Sequence, residues 1–205
     1  MVSDEALHPG HHSIRLKHRD YRTPGVYFVT ICTHQKRCTL GRISGDTTGL
    51  SPLGQVVHES WVAIPFHFAH VNLPAVVIMP NHVHGLIEIV CQAGAQYPVP
   101  PQRNFPEDRK AQVQSGSLAA IVRTFKAAVT KRARAELGYS AEVWQRNYFE
   151  RVVRDGREFS DVCRYIGENP INWDRDPENL EARKLLTPGQ AGAQHAAPLQ
   201  RRVLR

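Results

Sequence analysis

His82 and His84 stand one residue apart in VVIMPNHVHGLIEI, residues 76–89, between two apolar runs. Alternate side chains of a β-strand share a face. His82, His84, Leu86 and Glu88 therefore point one way, and Val83, Ile87 and Ile89 the other. The two imidazoles lie roughly 6–7 Å apart at their Cα atoms, close enough to bind one ion. The four cysteines have no paired spacing that would complete a structural zinc tetrahedron. Two neutral imidazoles with open coordination positions suit a divalent cation that also holds phosphate oxygens. A strand whose histidines are simply packed is the alternative that this pair leaves open.

CRYIGENP, residues 163–170, is a second such stretch. Tyr165 and Asn169 are four apart and so stand one above the other on a helix. They flank the apolar stripe of Phe159, Val162, Cys163 and Ile166, which leaves the phenol at the edge of the packed surface. Pro170 disfavours helix at the residue before it and marks Asn169 as the stop. The Asn169 amide oxygen could supply a third metal ligand, and the phenol one turn earlier could attack a phosphate held by the same ion. The bland alternative is a tyrosine that packs its ring and hydrogen-bonds its hydroxyl. Tyr148 is a rival nucleophile without a polar partner at helical spacing.

The elements that must position these groups follow from pattern. GVYFVTICT (25–33) reads as a central strand, and a Gly/Thr-rich loop follows. Ser51 caps a helix with Pro52 at its first position, running to about Ile64. Residues 75–79 and 82–89 form a hairpin about Pro80–Asn81. Ser117 caps a second helix whose Leu118, Ile121, Val122, Phe125 and Val129 face the core. Residues 143–154 read as a strand and 157–169 as a final helix. The first six elements give a βαββαβ order, hence an α+β, ferredoxin-like antiparallel sheet. The additional C-terminal helix carries Tyr165.

The chain has 205 residues, 41% hydrophobic, enough for one domain with a core. We expect a polar, basic N-terminal arm over 1–22, a catalytic domain over 23–178 with a mobile loop at 92–116, and a disordered tail over 179–205. No apolar run reaches the roughly 18 residues of a membrane span and no signal peptide opens the chain. A cytoplasmic protein with no membrane or protein partner is expected. A net charge of +7 favours a polyanionic partner, nucleic acid first.

Four segments in order resemble the REP-associated tyrosine transposases, a branch of the single-tyrosine HUH transposases (histidine, hydrophobic, histidine). They are GVYFVTICT, MPNHVHGLIEI, GSLAAIVRTFK and VWQRNYFERVVRDGREFSDVCRYIGENP, within roughly residues 15–175. The resemblance implies a metal-dependent endonuclease and strand transferase on single-stranded DNA, often hairpins of repetitive palindromes. It implies Mg²⁺ or Mn²⁺ as cofactor, His82 and His84 as metal ligands, Asn169 as the further ligand and Tyr165 as nucleophile, through a 5′-phosphotyrosine. A binding module of the same fold without chemistry, or an RNA-processing or metal-binding protein, would be the alternatives.

For contacts to DNA, Arg123, Lys126, Thr130 and Arg134 form a stripe beside the apolar face of the second helix. Arg146, Arg151 and Arg154 interleave with Trp144 and Tyr148, a pattern that suits single-strand stacking. Arg15 and Lys17, in RLKHRDYR, offer a basic arm.

Overall fold

The computed structural model describes residues 24–90 and 116–180. The sheet forms around β1 (Gly25–Cys32), whose β-branched and aromatic residues favour a pleated, buried strand. It pairs antiparallel with β6 (His82–Ile89) on one side and β7 (Phe149–Val153) on the other. The far edge of β6 takes β4 (Val71–Asn72) and β5 (Val76–Ile78), both antiparallel. The order β4/β5–β6–β1–β7 is that of the expected ferredoxin-like sheet. The Pro80–Asn81 turn joins β5 to β6, closed by Met79 N–H donating to His82 O at 2.8 Å.

Alternation along the two central strands splits the core in two. Tyr27, Val29, Ile31, Val83, Ile87 and Ile89 face one layer. There they meet α1 (Pro52–Val62) through Leu53, Val57 and Trp61, and α3 (Leu118–Leu137) through Ile121, Phe125 and Val129. The opposite face carries Phe28, Leu86 and the two histidines. It is covered by α4 (Gly156–Glu168) through Val162 and Ile166. The last helix is therefore no appendage, because without it the second face of the sheet would expose Phe28 and Leu86.

The helices start where side-chain oxygens satisfy orphan amides. Ser51 accepts from Gly54 N at 3.0 Å, Ser117 from Ala120 N at 3.3 Å and Asp155 from Glu158 N at 2.8 Å. Glycine at 85 has a packing cause. A Cβ there would lie 2.3 Å from the Trp61 ring, and that indole fills the centre of the α1 layer.

Several expectations are corrected. The loop after β1 contains a two-stranded hairpin, β2 (Gly41–Ser44) with β3 (Thr47–Leu50). A one-turn helix, α2 (Ile64–His67), follows α1. The strand expected over 143–154 pairs only from Phe149. Trp144 makes a lone bridge to Thr33 and packs on Phe125, with ring centroids 5.7 Å apart. Asn169 keeps helical dihedrals (φ −59°, ψ −42°) in spite of Pro170. Asn179, assigned to a tail, is buried and donates to Trp173 O at 3.1 Å. The arm over 1–22, nearly all of the 92–116 loop and the tail from 181 lie outside the described residues. No helix among the described residues is long and apolar enough to cross a membrane.

Candidate active site

The register places the chemistry. Pairing sets Thr30 opposite His84 and Cys32 opposite His82, so the side chains of all four share the face that α4 covers. The two imidazoles are buried, with ring centroids 4.3 Å apart. Each uses Nδ1 on a protein partner. His82 Nδ1 lies 2.8 Å from Asn81 Oδ1, and His84 Nδ1 lies 2.9 Å from Thr30 Oγ1. Both Nε2 atoms are thereby presented to a common space, an arrangement usual for metal-binding histidines.

Two groups reach that space from the C-terminal part of the chain. The Tyr165 hydroxyl, on α4, lies 3.3 Å from His84 Nε2. Its ring stands edge-on to Phe28, centroids 6.0 Å apart. After α4, a 3₁₀ turn (Trp173–Arg175) brings Asp176 back under the sheet, with Oδ2 3.8 Å from His82 Nε2. Ligand atoms of His82, His84 and Asp176 all lie within 4.8 Å of one another. Asn169, one turn beyond Tyr165 and buried, acts on both groups, favouring the charged forms of the phenol and of the Asp176 carboxylate.

The electrostatics of the cluster are unbalanced as it stands. Burial holds His82 far below its ordinary pKa, helped by His84 and Lys36. Burial also lowers His84 to about 4, against a smaller opposing pull from Glu178. Both rings are therefore neutral at pH 7. Burial raises Asp176 to about 6, so at pH 7 it is mostly ionised in a dry setting that disfavours charge. The Tyr165 phenol is pushed well above its ordinary value by burial and then by the Asp176 charge, while Asn169 partly offsets this. His82 Nε2, Asp176 Oδ2 and Asn169 Oδ1 are buried without a hydrogen-bond partner. Buried polar atoms rarely go unsatisfied, because desolvating them without a partner costs on the order of 1–3 kcal/mol each. A divalent cation would satisfy all three at once, and imidazole with carboxylate and amide oxygens is a donor set that Mn²⁺ or Mg²⁺ accepts. The residues fit such an ion.

The sequence-derived site residues divide by position. His82, His84, Tyr165 and Asn169 converge. Tyr148 packs with the α1/α3 layer, on the far side of the sheet from the imidazoles. Arg123 and Arg134 are exposed on α3, which belongs to that same far layer. Lys126 departs from the expected phosphate contact. Its ammonium donates to Gln145 O, and to Arg146 O at 3.3 Å, stapling that segment to α3. Arg146 and Arg154 are exposed at the two ends of the β7 segment. Arg15 and Lys17 lie outside the described residues. Asp176, Asn81, Thr30, Lys36 and Glu178 were missed. Thr30 is found only once the register is known. Asp176, in WDRDPENL, reads as an ordinary acidic turn with no periodic signal.

Comparison with known proteins adds a relative. An uncharacterized protein of Haemophilus influenzae is 42% identical over 171 residues, covering 81% of this chain and 92% of that one. The chain belongs to the family of that protein. No family model matches the chain. Among solved structures, it is similar to a REP-associated tyrosine transposase bound to a REP hairpin. That similarity has 16% identity and a TM-score of 0.49, over 77% of this chain and 74% of that one. It is also similar to a candidate transposase from Deinococcus radiodurans at 15% identity and a TM-score of 0.42, over 74% and 95% of the two chains.

Proposed function

We propose that the protein is a metal-dependent endonuclease and strand transferase for single-stranded DNA, acting through Tyr165. The observation that carries this reading is the meeting of a phenol with the cation site. The Tyr165 hydroxyl lies 3.3 Å from His84 Nε2, beside the facing, unpartnered His82 Nε2 and Asp176 Oδ2. A phenol among metal ligands in a buried, polar cluster is arranged for covalent chemistry at a phosphate. The HUH-like motif and the YIGENP segment, which are the residues that converge, support the same reading.

His82, His84 and Asp176 would hold a Mg²⁺ or Mn²⁺ ion, with the Asn169 amide oxygen as a further donor. Such an ion supplies Lewis acidity to the phosphate oxygens and offsets the charge of a phenolate. The chain's own groups do the remainder. The Tyr165 hydroxyl stands 3.3 Å from His84 Nε2, so that its oxygen rather than its ring edge faces the place where that nitrogen would hold the ion. Phe28 fixes the ring plane. The Tyr165 oxygen bonds to phosphorus as the P–O3′ bond breaks. The phenolic proton passes to water and the leaving 3′ oxygen takes a proton from water, giving a 5′-phosphotyrosine and a free 3′-hydroxyl. A second 3′-hydroxyl attacking that phosphorus reverses the step and expels Tyr165. The net charge of +7 suits a polyanionic substrate, and hairpin-forming palindromic single strands are the proposed class.

The test is incubation with single-stranded hairpin DNA and Mn²⁺, resolved on a denaturing gel. A covalent protein–DNA band that is lost in Tyr165→Phe and kept in Tyr148→Phe is expected. Binding without any covalent band would leave only a DNA-binding module. A band that persists in Tyr165→Phe would remove the assigned nucleophile.

A further inference from the structure

We infer that Asn81 is the positioning residue of this site. Its one side chain selects the tautomer of His82 and docks the C-terminal turn that carries Asp176. The inference rests on the proposed cation site and says how two of its ligands, 94 positions apart in sequence, are brought into register.

Asn81 is 1% exposed, and its backbone carbonyl and both polar atoms of its amide have partners. Its carbonyl oxygen accepts from Thr33 N at 2.9 Å and from Thr33 Oγ1 at 3.0 Å. Its Nδ2 donates to Lys36 O at 3.2 Å and to Glu178 O at 2.8 Å. Both of those partners are carbonyls, which can only accept, so the orientation of the amide is fixed. Oδ1 must then be the atom 2.8 Å from His82 Nδ1, and an oxygen that only accepts requires Nδ1 to carry the proton. His82 Nε2 is left with a bare lone pair aimed at Asp176 Oδ2, also an acceptor, 3.8 Å away. Two acceptors facing each other in a dry space are arranged to share a cation.

The same amide reaches the other ligand through Glu178. Glu178 O is held by Asn81, and Glu178 N donates to Asp176 Oδ1 at 2.6 Å, leaving Oδ2 for the site. The Glu178 carboxylate is in turn fixed by Lys36 Nζ at 2.6 Å and by the Cys32 thiol at 3.3 Å. Lys36 and Gln35 both have left-handed backbone (φ 53° and 54°), although neither is glycine. Such strain persists where surrounding contacts over-determine it. Here it brings the Lys36 carbonyl to Asn81 while its ammonium reaches Glu178.

The experiment uses the metal-free, full-length chain labelled with ¹⁵N in histidine and in the backbone. Long-range ¹H–¹⁵N spectra read the tautomer of His82, amide exchange reads the turn, and Mn²⁺ titration reads the ligands. In the native chain His82 should be the Nδ1–H form. Asn81→Ala should lose that preference, speed exchange of the Glu178 and Asn179 amides at least tenfold, and weaken Mn²⁺ about 10–100-fold, the usual effect of losing a partner that orients a ligand. If the alanine variant does not fold, Asn81→Asp decides. Its carboxylate still accepts from Nδ1 and keeps the tautomer, but it has no N–H for Glu178 O, so exchange in the turn alone should rise. An Nε2–H tautomer in the native chain overturns the inference. So does an alanine variant whose tautomer and exchange match the native chain, or an aspartate variant whose turn exchanges at the native rate. Should the native chain show the Asn81-dependent tautomer yet not bind Mn²⁺, the cation site falls and the positioning role of Asn81 stands.

Discussion

At pH 7 the Asp176 carboxylate is ionised in a place that resists its charge, since burial holds its pKa at about 6. A group whose folded pKa is raised costs stability above that pKa. Asp176→Asn should therefore raise the melting temperature of the metal-free protein at pH 7.5 by about 3–6 °C, while the upward shift produced by Mn²⁺ shrinks or vanishes. Paired thermal melts with and without Mn²⁺ check this, and an unchanged Mn²⁺ shift would exclude the carboxylate as a ligand. The imidazoles carry the opposite sign. His82 and His84 are held below the ordinary histidine value, His84 at about 4, so they are neutral in the fold. The unfolded chain takes up protons below about 6.5. Their contribution to stability is full above that value and is lost as pH falls toward 4, partly offset as Asp176 is neutralised near 6. Protons also compete with the cation, because ligands must be deprotonated to bind. Mn²⁺ affinity should be nearly flat above pH 7 and fall about tenfold per unit below pH 6, as titration calorimetry at pH 5, 6, 7 and 8 would show. Of these residues, the histidines, Tyr165 and Asn169 were legible because strand alternation and helical spacing are local rules. Asp176 and Asn81 were not, because their role depends on where a non-periodic turn folds back.

The elements that pattern could define were those with a strong period or a cap. Ser51 and Ser117 cap the helices they were read to cap, while Asp155, not read as a cap, starts the last helix at Gly156, and the 25–32 and 82–89 strands are found where alternation and apolar content place them. The β2/β3 hairpin was missed because its short strands lack apolar alternation, although Gly45–Asp46 between them is a two-residue hairpin signal, and β7 was overextended because Trp144 and Tyr148 look strand-like while packing onto helices. The second face of the sheet also escaped, since Leu86 alone did not announce a covering helix. Gly85 is where sheet and helix set each other's limits. Gly85→Ala would drive a methyl into the Trp61 ring from the opposite layer. The fully buried indole has no room to retreat. Such overpacking costs about 1–3 kcal/mol, and denaturant unfolding should register that loss, with a matching drop in the stability of the strand that carries His82 and His84. A neutral Gly85→Ala would mean that Trp61 moves freely.

At the scale of the whole molecule, the sheet separates two helical layers, with the proposed cation site on the α4 side and the exposed arginines of α3 on the other. A strand held at Tyr165 is a full layer away from Arg123 and Arg134. Each phosphate contact that is lost lowers the salt slope of binding by about one. Arg123→Ala with Arg134→Ala should therefore leave both affinity for hairpin DNA and its salt dependence within about twofold of the native chain. A slope reduced by two units in filter-binding titrations would instead show that the substrate wraps around to the α3 face. The account as a whole asks side chains from β1, β6, α4 and the turn beyond it to surround one reacting phosphate. Trypsin cleaves after Arg164 and Arg175, releasing Tyr165 in YIGENPINWDR, so mass spectrometry of a digested protein–DNA adduct reads the nucleophile directly. A nucleotide attached through its 5′-phosphate to Tyr165 of that peptide is the predicted result. The same nucleotide on the Tyr148 peptide, or on any other side chain, would contradict the account.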